Sequence, residues 1–142
     1  MVWREWGAWG AWALLAVALV GGVVTAYAQA PATRADYIAS QTLARDLERL
    51  GVRHMYTDYW TCDKTAFLTQ ERITCDTLGD TLHQGDNRYP PYAAATQADP
   101  RAAYVFPDGS PQAKALAVRA ADPAWRYTLS RLDGYVVYLP KT

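Results

Sequence analysis

Gly51–Cys75 reads GVRHMYTDYWTCDKTAFLTQERITC, and this stretch decides the fold. Val52–Tyr56 predicts a short strand, bounded by Gly51 and Asp58. Asp58 stands where a carboxylate caps a helix over Tyr59–Leu68, accepting from its free N–H groups. Arg72–Leu78, RITCDTL, predicts a second strand with Ile73, Cys75 and Thr77 on one face. Strand, helix and strand within about 27 residues make a βαβ unit, whose strands are parallel and whose crossover is normally right-handed.

Downstream, Gly79–Pro100 is rich in Gly, Pro and Asp and shows no clear period. It reads as a long surface excursion. Ala102–Phe106 predicts a third strand, stopped by Pro107-Asp108-Gly109. Ser110 and Pro111 open an Ala-rich helix reaching about Ala121. Trp125–Leu132 and Tyr135–Leu139 flank Asp133-Gly134, a strong hairpin signal. The soluble part is therefore expected to be α/β, a mostly parallel sheet with a C-terminal β-hairpin.

Upstream, Ile38, Leu43, Leu47 and Leu50 approach a helical stripe over Thr33–Leu50. Gly51 stops that helix, and Thr33 or Asp36 can cap it after a QAPAT linker, Gln29–Thr33. Before the linker, residues 6–33 carry no charge. The run 8–28 reaches the roughly 20 apolar residues that cross a bilayer core. Trp3, Trp6, Trp9 and Trp12 crowd its start, as a membrane interface favours. Two readings follow. One is a lasting transmembrane helix. The other is a signal peptide with Arg4 in its n-region and Ala26-Tyr27-Ala28 as the cleavage signal. The apolar run exceeds a usual signal h-region of about 15 residues, which favours the helix. The expected organisation is a transmembrane helix or signal peptide over 1–30 and an α/β domain over 31–142.

The chain has 142 residues, a formal net charge of zero and scattered Lys and Arg. That argues against electrostatic recognition of nucleic acid. P-loop, dinucleotide, H-E-x-x-H and G-x-S-x-G motifs are missing from it, so the residues indicate no cofactor. Two cysteines and two histidines do not make a four-ligand zinc signature, so no metal is expected. His54 and His83 read as structural.

Cys62 on the predicted helix and Cys75 on the following strand can bridge, or remain separate buried thiols. An oxidising compartment would favour the disulfide. Tyr56, Asp58, Tyr59 and Trp60 fall at the carboxyl end of the first strand, where open α/β sheets bind ligands. The competing role for Asp58 is the helix cap, and for the aromatics the core edge. Arg88, Tyr89 and Tyr92, in R-Y-P-P-Y, form a rigid aromatic and cationic segment. It can meet a phosphate or a partner, or fold back over the sheet edge. Glu71-Arg72 reads as a surface turn pair.

Together, G-V-R-H-x-Y-x-D-Y-W-T-C at 51–62, F-L-x-x-E-R-I at 67–73, R-Y-P-P-Y at 88–92, A-Y-V-F at 103–106 and D-G-Y-V-V-Y at 133–138 carry a resemblance. The chain resembles the extracytoplasmic C-terminal domain of bacterial polytopic glycosyltransferase-like membrane proteins, the group related to aminoarabinose transferases and protein mannosyltransferases. In that family the catalytic acid lies in the first extracytoplasmic loop, between early membrane helices, and the polyprenyl-phosphate site is built among the helices; no position of this sequence matches them, so no catalytic residue is carried over. The resemblance implies the tail of a larger or split enzyme, or a free-standing single-pass protein that kept the accessory domain. Neither is expected to transfer a sugar alone. The implied location is the cell membrane, with residues 8–28 in the bilayer and the domain outside the cytosol. The implied partners are membrane-embedded transferase helices or a glycan. The alternative is a secreted, signal-cleaved binding or structural domain. A stand-alone enzyme using Asp58 and Glu71 finds no support in their spacing.

Overall fold

The structure is a computed structural model describing residues 3–141, with side chains from residue 10 onward. The side chains of Arg4, Trp3, Trp6 and Trp9 lie outside the described residues. The chain divides into two compact units, Met1–Tyr37 and Ile38–Thr142.

The first unit is helical. Helix α1 spans Trp3–Arg49, and every described residue from 10 to 37 is exposed. An apolar window within Gly10–Arg49 is long enough to cross a membrane, a test that a signal sequence also passes. The expected QAPAT linker is not a break. Pro31 removes one N–H from the helical ladder, but Ala28, Ala30 and Ala32 are strong helix formers and the helix continues. Thr33 Oγ1 donates to the Gln29 carbonyl at 3.1 Å, four residues back, so it is a mid-helix hydroxyl rather than a cap.

The second unit begins with the last turns of α1. Of the predicted stripe, Leu43 and Leu47 are buried, while Ile38 and Leu50 are exposed. Gly51 ends the helix at φ +73°, where a side chain would be strained. The Val52 N–H then reaches the Leu47 carbonyl at 3.0 Å, closing the terminus. Eight elements follow: β1 (His54–Thr57), α2 (Tyr59–Leu68), β2 (Thr74–Thr77), α3 (Pro90–Ala98), β3 (Ala103–Pro107), α4 (Pro111–Ala120), β4 (Tyr127–Leu132) and β5 (Tyr135–Pro140).

The five strands form one sheet in the order β2-β1-β3-β5-β4. β1 pairs in parallel with β2 and β3, and β5 pairs antiparallel with β3 and β4. Among the described strands only β5 is reversed, inserted by the hairpin between β3 and β4. The sheet is thus mixed in its pairings but mostly parallel in strand direction. The hairpin turns through Asp133 and Gly134, both at positive φ, as the sequence predicts.

Register shows which residues share a face. Met55, Cys75, Ala103, Val105 and Val137 point to one face and pack with Leu43, Leu47 and Cys62, from α1 and α2. Tyr104, Phe106, Val136 and Tyr138 point to the other and pack with Ala113 and Leu116 of α4. Both faces are covered, as parallel strands require. The β1–β2 crossover uses α2 on the first face. The β2–β3 crossover runs the opposite way across the sheet with α3 on the second face, so both have one hand.

The excursion Gly79–Pro100 is corrected in part, because it contains α3. Pro90 and Pro91 read as breakers but occupy the first helical positions, where a missing N–H costs nothing. Ala93, Ala94 and Ala95 then propagate the turn. Arg72 bonds to Glu48 at 2.8 Å across the unit, so its partner is not its neighbour Glu71.

Candidate functional site at the carboxyl edge of the sheet

The chain leaves β1 and β3 toward opposite faces, into α2 on one and α4 on the other, while the strand ends stay joined by the Thr57 hydroxyl donating to the Val105 carbonyl. In α/β sheets this reversal point is where ligands bind. A cleft of about 490 Å³ opens at this edge. Its walls are Asp58, Tyr59 and Trp60 at the start of α2, Gln112 at the start of α4, and the Gly79–Asp86 loop. That loop is tightly seated. A Cβ on Gly79 would lie 2.5 Å from the His83 ring, and one on Gly85 would lie 3.0 Å from the Thr77 carbonyl oxygen.

Asp58 caps α2, its Oδ1 accepting from the Thr61 N–H at 3.0 Å. Its Oδ2 is buried without a hydrogen-bond partner among the described residues. Ser110 caps α4 in the same manner, and buried Gln112 donates to Asp80 at 3.1 Å. The cleft lining carries the carboxylates of Asp58 and Asp86 and no Lys or Arg among the described residues.

Beside the cleft an aromatic ridge crosses the β2 edge. Tyr59 and Trp60 meet edge to face at 5.2 Å. The Arg88 guanidinium lies 5.2 Å from the Tyr59 ring centre and 3.8 Å from Asp63. Tyr89 and Tyr92 form a second edge-to-face pair at 4.7 Å. A hydrogen bond with Glu71 raises the Tyr92 pKa. Between α2 and this segment lies a small recess of about 70 Å³, walled by Tyr59, Cys62, Arg88, Tyr89 and Tyr92. Trp60 is 70% exposed, Phe67 81% and Tyr89 56%. The backbone before Arg88 covers the sheet edge, since Gly85 N–H donates to Thr77 and the Thr77 N–H to Asn87. The edge cover thus comes from Gly85–Asn87, just before the Arg88–Tyr92 segment.

The Cys62–Cys75 disulfide fastens this region. Its Cα atoms are 5.8 Å apart, and it ties the first turns of α2 to β2. The chain-entropy model gives about 3 kcal/mol for such a loop.

Of the sequence-predicted site residues, Tyr59, Trp60, Arg88, Tyr89 and Tyr92 gather on the ridge and Asp58 lines the neighbouring cleft. Tyr56 does not join them. Its ring stacks on Tyr104 at 4.8 Å, within a cluster that includes Trp125, Tyr127 and Tyr138. Burial raises the pKa of Tyr56, Tyr104 and Tyr127.

Two polar features escape the sequence reading. Asp76, 1% exposed, accepts from Gln84 and Asn87 at 2.9 Å and from Gln97 at 2.8 Å, pinning the loop and α3 to β2. Strict alternation along RITCDTL puts Asp76 opposite Cys75, but only knowledge that both faces are covered makes it buried. His54 Nδ1 donates to Asp99 at 2.7 Å, and this bond is the largest cause of a lowered Asp99 pKa.

A larger depression of about 660 Å³, about as open as the cleft, lies at the opposite, amino edge. Its Glu48 and Arg72 are already paired with each other, so the carboxyl edge is the better candidate. Among the described residues no group of three or more His, Cys, Asp or Glu is placed to hold a metal. Comparisons with protein-family models, with curated proteins and with solved structures return no match.

Proposed function

We propose that this chain is a membrane-anchored α/β domain held outside the cytosol. It serves as the accessory, acceptor-side domain of a glycosyltransferase-type membrane protein and works by contact rather than by catalysis of its own. The observation that carries this reading is the gathering of exposed Trp60, Arg88 and Tyr89 with half-buried Tyr59 and Tyr92 on one surface. Exposed aromatic and Arg side chains of this kind are the usual anchors of protein contacts. The disulfide supports an oxidising compartment. The apolar window of α1 supports anchorage, with residues 8–28 in the bilayer.

The partner in this reading is a set of membrane-embedded transferase helices. A photo-crosslinking residue at Tyr89 in the full-length protein should capture a polytopic membrane protein. The double variant Trp60→Ala/Arg88→Ala should lose that product while keeping its fold. Loss of folding in the double variant would show these residues to be core, and the contact reading would fail. The secreted alternative is favoured by one feature, the A-x-A signal at Ala26–Ala28, and a mature chain beginning at Gln29 or Pro31 would establish it.

A further inference from the structure

The sheet has two edges, β2 and β4, and they end differently. At the β2 edge the loop shields Thr77, whose carbonyl accepts from Gly85 and whose N–H donates to Asn87. At the β4 edge the hairpin ladder shows which groups face outward. The Gly134 carbonyl accepts from the Asp108 N–H, so the even-numbered residues of β5 turn toward β3. Tyr135, Val137 and Leu139 therefore turn toward β4, where their partners are Leu132, Ser130 and Thr128. Arg126, of the same parity, accepts from the Lys141 N–H. Tyr127, Leu129 and Arg131 are left with their N–H and C=O groups pointing away from the sheet, and among the described residues nothing bonds to those groups.

An open edge is a template for another strand, and proteins blunt it with Pro, bulges or free charges. Strand β4, YTLSRL, has no Pro, and its one-to-one register with β5 has no bulge. Its one charge, Arg131, is paired with Asp108 of the same chain. Leu129, at its middle, is 45% exposed. We propose that β4 pairs antiparallel with β4 of a second copy of this chain, about a two-fold axis at Leu129. Two five-stranded sheets then become one continuous sheet. A two-fold that keeps side chains on their own faces must pass through a pair of identical residues. Centred on Leu129, the outward N–H and C=O groups of Tyr127, Leu129 and Arg131 all find partners. Leu129 then opposes itself, Thr128 opposes Ser130, and Tyr127 opposes Arg131, so apolar meets apolar, hydroxyl meets hydroxyl and ring meets cation. Centring on Ser130 would set Leu129 against Arg131 and Thr128 against Leu132. Centring on Arg131 would oppose two like charges. This self-complementarity selects a second copy over an unrelated strand. The ridge, over the β2 edge, stays free at both outer ends.

One strand pair makes a small, exchanging interface, so the test traps it covalently. Single cysteines are introduced into the full-length protein in phosphatidylcholine vesicles and oxidised with copper phenanthroline. The native cysteines are already joined to each other. At the axis the two Leu129 Cα atoms lie about 5.5 Å apart, inside the disulfide range. One residue away, the two copies of a residue are displaced by about 7 Å along the strand, beyond that range. Leu129→Cys should therefore form a covalent dimer quickly. Ser130→Cys, Arg131→Cys and the exposed control Val118→Cys on α4 should lag far behind it. In a second measurement, energy transfer between donor- and acceptor-labelled copies should be lost in Leu129→Lys, which opposes two like charges at the axis. The side chain is half in solvent and its own N–H is unbonded, so the unfolding midpoint of that variant should not move.

Crosslinking of Leu129→Cys no faster than of Val118→Cys would overturn the proposal. So would fastest crosslinking at Ser130 or Arg131, which would mean another register, or energy transfer that survives in Leu129→Lys, which would place the association elsewhere in the chain. If Leu129→Lys fails to fold, the cysteine series decides alone. Strand β4 is not part of the ridge, so dimer trapping without capture by Tyr89, or the reverse, tells failure of one reading from failure of the other.

Discussion

The domain holds two aromatic groups of similar composition and opposite surroundings. One, Tyr59, Trp60, Tyr89 and Tyr92, lies over the β2 edge, where Trp60 and Tyr89 are exposed. The other, Tyr56, Tyr104, Trp125, Tyr127 and Tyr138, lies across β1, β3, β5 and β4. There ring stacks on ring, Tyr138 is buried, and burial raises the pKa of three of the tyrosines. Aromatic content alone therefore does not mark a site. A ring with rings on its faces contributes packing, whereas a ring open to solvent beside a cation is available to a partner.

That contrast predicts the largest effect. Tyr104→Ala removes the ring that contacts Tyr56, Trp125 and Tyr127, and should cost about 3 kcal/mol. Trp60→Ala should stay within about 0.5 kcal/mol, as exposed positions do. Denaturant unfolding of both variants followed by near-UV circular dichroism compares them directly. Equal losses would erase the distinction between the two groups.

Next comes the fastening of the ridge. Reducing the Cys62–Cys75 bond, or replacing both residues with Ala, should lower stability by about 3 kcal/mol. The loss should appear first as faster hydrogen exchange in α2, whose early turns the bond ties to β2. The cluster around Tyr104 should keep its protection until global unfolding. Uniform loss of protection would mean that the two regions are not separable.

The smallest effect is electrostatic. Asp99 has a folded pKa depressed below its ordinary value of 3.8, with the His54 hydrogen bond as the largest cause. Folding thus favours the charged carboxylate. The contribution is present above pH 3.8 and is lost as the pH falls through the depressed value. The pair is solvent-accessible, so the effect is small. In His54→Phe, stability should depend less on pH below about 4 than in the parent chain, measured as the denaturation midpoint against pH. Identical acid profiles would assign the depression to another contact.

Much of this fold is written in local sequence. Gly51 and Asp58 punctuate Gly51–Cys75 at the helix end and the helix cap, and the structure places both there. Asp133-Gly134 specifies the hairpin just as locally. What is not legible depends on context. Pro31 and Pro90-Pro91 look like breakers, yet one lies inside a helix and the others start one. The Ala residues around them decide the outcome. The candidate site follows the same division. Tyr59 and Trp60 are predictable from the strand–helix junction. The company of Arg88 and Tyr89 depends on the loop returning over β2. Tyr56 separates from its neighbours because alternation turns it to the opposite face, where Tyr104 waits in register. Asp76 is the clearest case, a carboxylate whose burial and three amide donors come from segments up to 21 residues away.

The central claim is an anchored, disulfide-closed domain outside the cytosol. It is tested most directly by fractionating cells that express the tagged full-length protein, with membrane-impermeant thiol labelling before and after reduction. The account predicts a full-length chain retained in the membrane, with Cys62 and Cys75 labelled on intact cells only after reduction. A shortened soluble product, or thiols that label without reduction, would contradict it.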